Sequence, residues 1–395
     1  MNNKISFKYM LSHFFLHAIT CVVYGYGVYS LKARGYSSSS AGECLAICSF
    51  LAFFLQAYLS NFVDNSKKLN IFDVSIICAS IIFVFTIFNS ILKVKSIFLT
   101  IVFIITVTLY ITLEPLINTL YTKFIVHGIK INFSTARACG SFSYALFCFV
   151  FGILTEKYSY NVVLYFFIAF ALCMIVDLIM LNLDYKKFDK KEEKVEHKQV
   201  VSYKEFIKGN KMFVLLIFFL AVVYFGYLIF DNFMLLVVEE IGGNSSDMGS
   251  VLACKAIIEA ISIFFAYPFL KKKIGPTNIL KLAAIMFFVK SLLSTLVNNV
   301  IYLYPIQLLQ GLSFALVYPG MVDFATANLK KHEITRGQAL ATMAMVFGSF
   351  FASLIAGNIA DLFGVKTMEY LACVTGFIGM IGFIFTLGKV KKQDE

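Results

Sequence analysis

The sequence predicts an all-α membrane protein of twelve transmembrane helices in two six-helix bundles, and three observations predict it. The 395-residue chain is 59% apolar and 16% aromatic but only 14% charged. Its mean hydropathy of +0.82 lies far outside the soluble globular range. Apolar runs of roughly 20 residues, the length that crosses about 30 Å of hydrocarbon, recur from one end to the other. The longest polar segment, 184–211, follows the sixth run and separates 1–183 from 212–395.

In order, the predicted spans are 9–31, 41–63, 71–92, 96–120, 136–155 and 160–183, then 212–236, 246–270, 276–297, 300–325, 337–359 and 367–388. The first follows a short polar start and passes Tyr24 with no small-residue cleavage site, so it reads as a retained span rather than a signal peptide. Orientation follows from the cations. Alternate turns carry Lys67, Lys68, Lys123, Lys130, Lys271 to Lys273, Lys330, Lys331 and Arg336, with Lys389, Lys391 and Lys392 in the tail. The intervening turns carry only Lys32, Arg34, Lys93, Lys95, Lys157 and Lys366. The positive-inside rule therefore puts both termini in the cytoplasm, and the expected location of this multi-pass chain is the cell's inner (plasma) membrane.

The formal charge of +11 is spread over these turns and forms no basic domain, so it reads as topology and not as a nucleic-acid surface. Nine cysteines lie mostly within spans without a C-x-x-C pair, and they read as small apolar packing residues rather than metal ligands. Lys190-Lys-Glu-Glu-Lys194 marks 184–211 as a solvated linker. Gly152 to Glu156 closes the fifth span and Gly357 to Asp361 closes the eleventh, the same Gly-x-x-x-acid ending in corresponding places, as two structural repeats would leave. No phosphate loop, zinc-protease or nucleophile-elbow motif occurs, so neither an enzyme nor a cofactor is expected.

Ionisable groups inside spans cost at least about 2.5 to 3.5 kcal/mol at the bilayer centre, so they usually face a cavity or one another. His13 and His17 share one face of the first span, followed by Tyr24 and Tyr26. They fit either ordinary hydrogen bonding near the cytoplasmic mouth or a titratable pair. Glu114 precedes Pro115 in the fourth span, with Asn118 one turn on, where a proline-freed carbonyl and an acid both suit a cavity wall. Arg137 opens the fifth span, with Tyr144 two turns on along the same face. It can snorkel to the interface, or it can bind polar ligand groups beside a stacking ring. Asp177 stands alone in the sixth span. In the second half Asp231 and Asn232 lie in span seven, Lys255 and Glu259 in span eight, Lys290 in span nine, and Gln310, Tyr318 and Asp323 in span ten. Lys255 and Glu259, four apart, can neutralise each other. Alternatively, Glu259 near mid-membrane can carry a proton and release it when a cation such as Lys290 approaches.

These residues resemble the major facilitator superfamily, and within it the group of lactose permease and the oligosaccharide, nucleoside and phenylpropionate proton symporters. Phe133-Ser-Thr-Ala-Arg137-Ala-Cys-Gly140 resembles the group's aromatic-Gly-Arg-x-Arg-x-x-Gly pattern. Arg137 falls at the second, substrate-binding arginine, and Tyr144 falls where a tryptophan stacks on sugar. Gln56, Asp64, Lys67 and Lys68 resemble the second-span ending and the loop that locks the cytoplasmic gate. Ile355 to Asn358 resembles the eleventh-span ending, and Lys290 sits at a ninth-span arginine. The departures are specific. Ser134 and Thr135 replace the glycine and first arginine, and Asn118 stands at the fourth-span acid, with Glu114 one turn away as its substitute. Ser313 and Leu316 stand at the tenth-span histidine and coupling acid, and Gln310 and Met345 at two lysines. Asp231 resembles a span-seven acid.

The resemblance implies a monomeric secondary transporter working by alternating access in the bilayer. It implies proton-coupled symport of a small polar or aromatic metabolite, a sugar, nucleoside or aromatic acid. Arg137, Asn118, Tyr144, Glu114 and Tyr24 are the expected substrate residues, and Glu259, Lys290 and Asp231 the expected proton residues. Asp64, Lys67 and Lys68 are the expected gating loop. Galactoside specificity does not fit the departures. A proton-driven exporter of hydrophobic compounds and a non-transporting sensor are the alternatives that the same fold allows.

Overall fold

The computed structural model describes residues 2–66, 68–188, 203–330 and 332–390, and among these every regular element is a helix. Ten helices are long and apolar enough to cross a membrane. One of them, Ser245–Leu296, holds two predicted spans, which part at Gly275. There φ is 75°, a conformation that favours glycine, and Pro276 restarts the helix without needing an N–H partner. The first predicted span falls short of a single long helix because it is broken into α1 (Asn2–Thr20), a wide π turn (Cys21–Gly25) and α2 (Gly27–Lys32). With that division and that break counted, the twelve spans are all present.

Four more helices, α3 (Ser38–Asn65), α4 (Ile71–Ile91), α5 (Ile97–Ile125) and α6 (Phe133–Lys157), start at a polar cap. The side chains of Ser37, Asn70, Ser96 and Asn132 accept from backbone N–H groups of the first turn, and Asn70 and Asp73 do so reciprocally as a capping box. α7 (Asn161–Tyr185) completes the first half. The second half runs through α8 (Tyr203–Gly209), α9 (Lys211–Asn232), α10 (Met234–Glu240), α11 (Ser245–Ile261), α12 (Tyr267–Leu296), α13 (Leu303–Gln307), α14 (Phe314–Asn328), α15 (Ile334–Phe363) and α16 (Val365–Leu387). The seventh span breaks at Phe233 between α9 and α10, and the tenth passes through a tight turn, Leu308–Gly311, between α13 and α14. Breaks at membrane depth free backbone polar groups, which is tolerable only where protein or a cavity replaces lipid.

The described residues form two compact units. The first comprises α1 to α7 together with Asn244–Ala256, the opening of α11. Its centre is α1, packed on α6 and α7. Asn244 joins it by donating from Nδ2 to Glu156 Oε1 at 3.0 Å, so the acid of the fifth-span ending serves as an anchor. Gly152 and Gly249 let the backbones meet, since a Cβ on Gly152 would lie 3.0 Å from the Ser246 carbonyl oxygen. The second unit comprises α8 to α10, the rest of α11 and α12 to α16, with α9 packed against α15 and α16.

Two expectations change. The segment 184–211 is not solvated throughout. α8 lies within it and buries Phe206 completely, ring to ring with Phe213 at 6.0 Å, while Lys204, Glu205 and Lys208 stay exposed. A lysine-rich composition hid one inward aromatic; residues 189–202 lie outside the described ones. Arg34 is not a solvated turn charge either. It is 3% exposed, donating to Ser30 Oγ at 2.7 Å and to Asn89 Oδ1, with its guanidinium 5.0 Å from the centre of the Tyr160 ring.

Candidate functional site

Polar side chains collect inside each unit. In the first, Asn132 caps α6, which places Arg137 in the second helical turn and Gly140 on the face toward α1. The His17 ring lies on Gly140, where an added Cβ would come within 2.5 Å of Nδ1. His13 stacks on His17 at 5.8 Å and meets the edges of Tyr9 at 4.8 Å and Phe133 at 5.7 Å. Tyr9 in turn donates to the Asn118 carbonyl at 3.3 Å, which ties α1 to α5. The Arg137 charge acts on His13, His17, Tyr110 and Glu114. No ion pair within 4 Å joins Arg137 to Glu114 among the described residues. Tyr24 enters through Tyr110, 6.3 Å ring to ring, and Tyr110 is hydrogen-bonded to Thr20. Tyr144 is half-buried on α6.

Five atoms of this cluster are buried without a hydrogen-bond partner among the described residues: both ring nitrogens of His13, Nε2 of His17, Oδ1 of Asn118 and Nη1 of Arg137. Buried polar atoms are nearly always satisfied in folded proteins, and leaving one unmade costs about 1–3 kcal/mol. Such a group gathered in one place has the chemistry of a polar ligand site.

The second unit holds a chain of partners. Lys290 Nζ donates to Gln310 Oε1 at 2.6 Å, and Gln310 Nε2 donates to Tyr227 OH at 3.1 Å and to Glu259 Oε2 at 3.2 Å. An ammonium can only donate, so the amide oxygen must face Lys290, and the amide nitrogen is left for Glu259 and Tyr227. Lys290 and Gln310 are buried, and Lys290 also stands 5.6 Å from the Tyr227 ring centre. Asp231, Lys290, Tyr227, Ser291 and Gln307 line a small cavity beside this chain, which brings Asp231 to the same place. The neutral amide holds the cation and the acid in one hydrogen-bonded chain and screens neither from the other's charge.

In the expected gating loop, Lys68 is exposed and its backbone N–H donates to Ser66 Oγ at 3.3 Å. Lys67 and the Asp64 side chain lie outside the described residues. Gln310 and Tyr227 were not singled out as site residues from the sequence. The available signal was Tyr227 standing four residues before Asp231, on one helical face. Asp177 accepts at Oδ2 from Ser12 Oγ at 2.5 Å, 165 residues away, while its Oδ1 is buried without a partner among the described residues. On the second unit, Asp323 takes an ion pair from Lys271 at 2.6 Å and a hydrogen bond from Tyr267. No group of three or more potential metal ligands occurs among the described residues.

Comparison with known proteins gives the family and the fold. The sequence model of the MFS_1 like family matches residues 6–370. Two crystal structures of the nucleoside transporter NupG are similar in fold. A mutant form has a TM-score of 0.81 at 14% identity, covering 97% of this chain and 99% of that one. The other has a TM-score of 0.76 at 15% identity, covering 99% of each. A bacterial homologue of the human lysosomal transporter Spinster gives a TM-score of 0.72 at 13% identity, over 98% of this chain and 97% of that one. No curated protein matches in sequence.

Proposed function

The chain belongs to the MFS_1 like family of the major facilitator superfamily, a multi-pass membrane protein and not an enzyme, and from that premise we propose that it is a proton-coupled symporter. Its cargo is a small polar or aromatic metabolite of the sugar, nucleoside or aromatic-acid kind. The observation that carries this reading is a polar cluster at membrane depth in each unit, one rich in unpartnered hydrogen-bonding atoms and one joining a buried lysine to an acid. Intramembrane ionisable groups of this kind mark substrate and proton pathways.

Arg137, with Asn118, Glu114, Tyr24 and Tyr144, binds the substrate. A guanidinium offers a planar fork of donors, and the tyrosine rings offer faces for a flat ligand. Glu259 takes the proton. When it is protonated its need for the Gln310 amide and for Lys290 falls, and Asp231 offers the ammonium a second carboxylate. Asp64, Lys67 and Lys68 gate the cytoplasmic side, and the monomer works by alternating access in the inner (plasma) membrane with both termini cytoplasmic.

Uptake into vesicles under an imposed proton gradient tests this reading. Arg137→Ala is expected to abolish binding and uptake. Glu259→Gln is expected to keep substrate exchange while losing accumulation driven by the gradient. Unchanged gradient-driven uptake in both variants, with normal protein in the membrane, would overturn it.

A further inference from the structure

The five unpartnered atoms of the first unit say more than that a ligand binds there. Their donor and acceptor character can be assigned. His17 Nδ1 lies 2.9 Å from the carbonyl oxygen of His13. A carbonyl only accepts, so Nδ1 carries the proton of the neutral ring, and Nε2 is left as a bare lone pair, buried without a partner among the described residues. Asn118 Oδ1 is a second acceptor with no donor. Neutral His13 supplies one donor and one acceptor, both unmet, and Arg137 Nη1 supplies donors alone.

Arg137 is a permanent cation of the cluster, and Glu114 lies within the reach of its field. A carboxylate ligand would set its own lone pairs against those of His17 and Asn118. An uncharged ligand whose edge presents an O–H or N–H next to an acceptor meets every requirement at once.

We infer that His17 is a specificity-determining residue of the first unit's site: its Nε2 accepts a hydrogen bond from a hydroxyl or N–H of an uncharged ligand whose neighbouring oxygen or nitrogen accepts from Arg137. Gly140 is the element that makes this possible. Its bare Cα lets the imidazole lie against α6, and the near-parallel His13 ring, 5.8 Å away, packs beside it. The inference rests on the reading of Arg137 as a substrate residue and narrows the cargo to the uncharged members of the proposed classes. Sites built to hydrogen-bond a ligand group discriminate strongly against ligands that cannot complete the bond.

The test uses the purified full chain with uridine, glucose and phenylpropionate as probes, read as thermal stabilisation and as the NMR shifts of the His17 ring nitrogens. Uridine or glucose is expected to stabilise the protein and phenylpropionate is not. Before ligand is added, Nε2 should carry no proton, and on binding its resonance should move while that of Nδ1 holds. His17→Phe, which keeps a flat ring over Gly140, should weaken binding by about tenfold, as expected for one lost hydrogen bond. Stabilisation by phenylpropionate alone, a protonated Nε2 in the free protein, or unchanged affinity in His17→Phe overturns the inference while leaving Arg137 in its role. Unchanged affinity in Arg137→Ala, or stabilisation by none of the probes, removes both readings. If His17→Phe does not fold, the ring-nitrogen shifts of the unaltered protein decide.

Discussion

Replacing Gln310 by methionine keeps the volume of the side chain and removes its polarity. In the second unit Gln310 makes three hydrogen bonds: it accepts from Lys290 at 2.6 Å and donates to Glu259 at 3.2 Å and to Tyr227 at 3.1 Å. Two of these involve charged groups and are each worth about 1.5–3 kcal/mol. Lys290 is only 7% exposed, so losing its acceptor leaves a buried ammonium with less compensation, a change that costs about 3–5 kcal/mol when a buried pair is broken. These costs overlap because they describe one network, and about 3 kcal/mol is the total to expect. For a domain of this size that is a fall in Tm of about 6 to 12 °C.

Thermal unfolding in detergent measures that loss, and gradient-driven uptake in vesicles measures the coupling. Gln310→Glu is the informative companion. A carboxylate can still accept from Lys290 but sets a like charge against Glu259, so it should recover stability as the pH is lowered and one of the two acids is protonated. An unchanged Tm in Gln310→Met, together with unchanged gradient-driven uptake, would refute the idea that the amide holds the acid and the lysine in register.

Two further predictions concern the scaffold. Arg34→Lys keeps the charge but lacks the planar fork that reaches both Ser30 and Asn89 and lies by Tyr160, so it should destabilise the first unit by about 2–3 kcal/mol, measured by thermal unfolding. Phe206→Ala, in a segment that reads as a linker, should cost about 3–5 kcal/mol as a core aromatic does, whereas Lys208→Ala two residues on should change Tm little.

What the sequence made legible follows from where each signal resides. Spans were legible because twenty apolar residues in succession are an intrinsic property of the segment, and Asn132, Arg137 and Gly140 were legible because they are conspicuous within one. The breaks were not. Gly25 and Gly27 weaken the helix after Cys21 without saying what replaces it, and the π turn found there is followed by Tyr26, which donates to the Cys148 carbonyl at 2.9 Å, 122 residues away. The same holds for partners. Lys255 and Glu259, four apart, are the pair that helical spacing puts together, and Gln310, 51 residues further on, also holds Glu259, which spacing on one helix cannot report. His13 and His17 show the limit most clearly. Their spacing was readable and left ordinary hydrogen bonding as a full account of them. Among the described residues only one of the four ring nitrogens is satisfied that way, through the His13 carbonyl. Spacing along a helix reports which side chains can meet on that helix. Whether they are satisfied there is decided by the neighbouring helices, and in the first unit α5 and α6 bring Asn118 and Arg137 rather than partners that would close the account. An unmet lone pair in so apolar a setting is the physical reason to look for a ligand there.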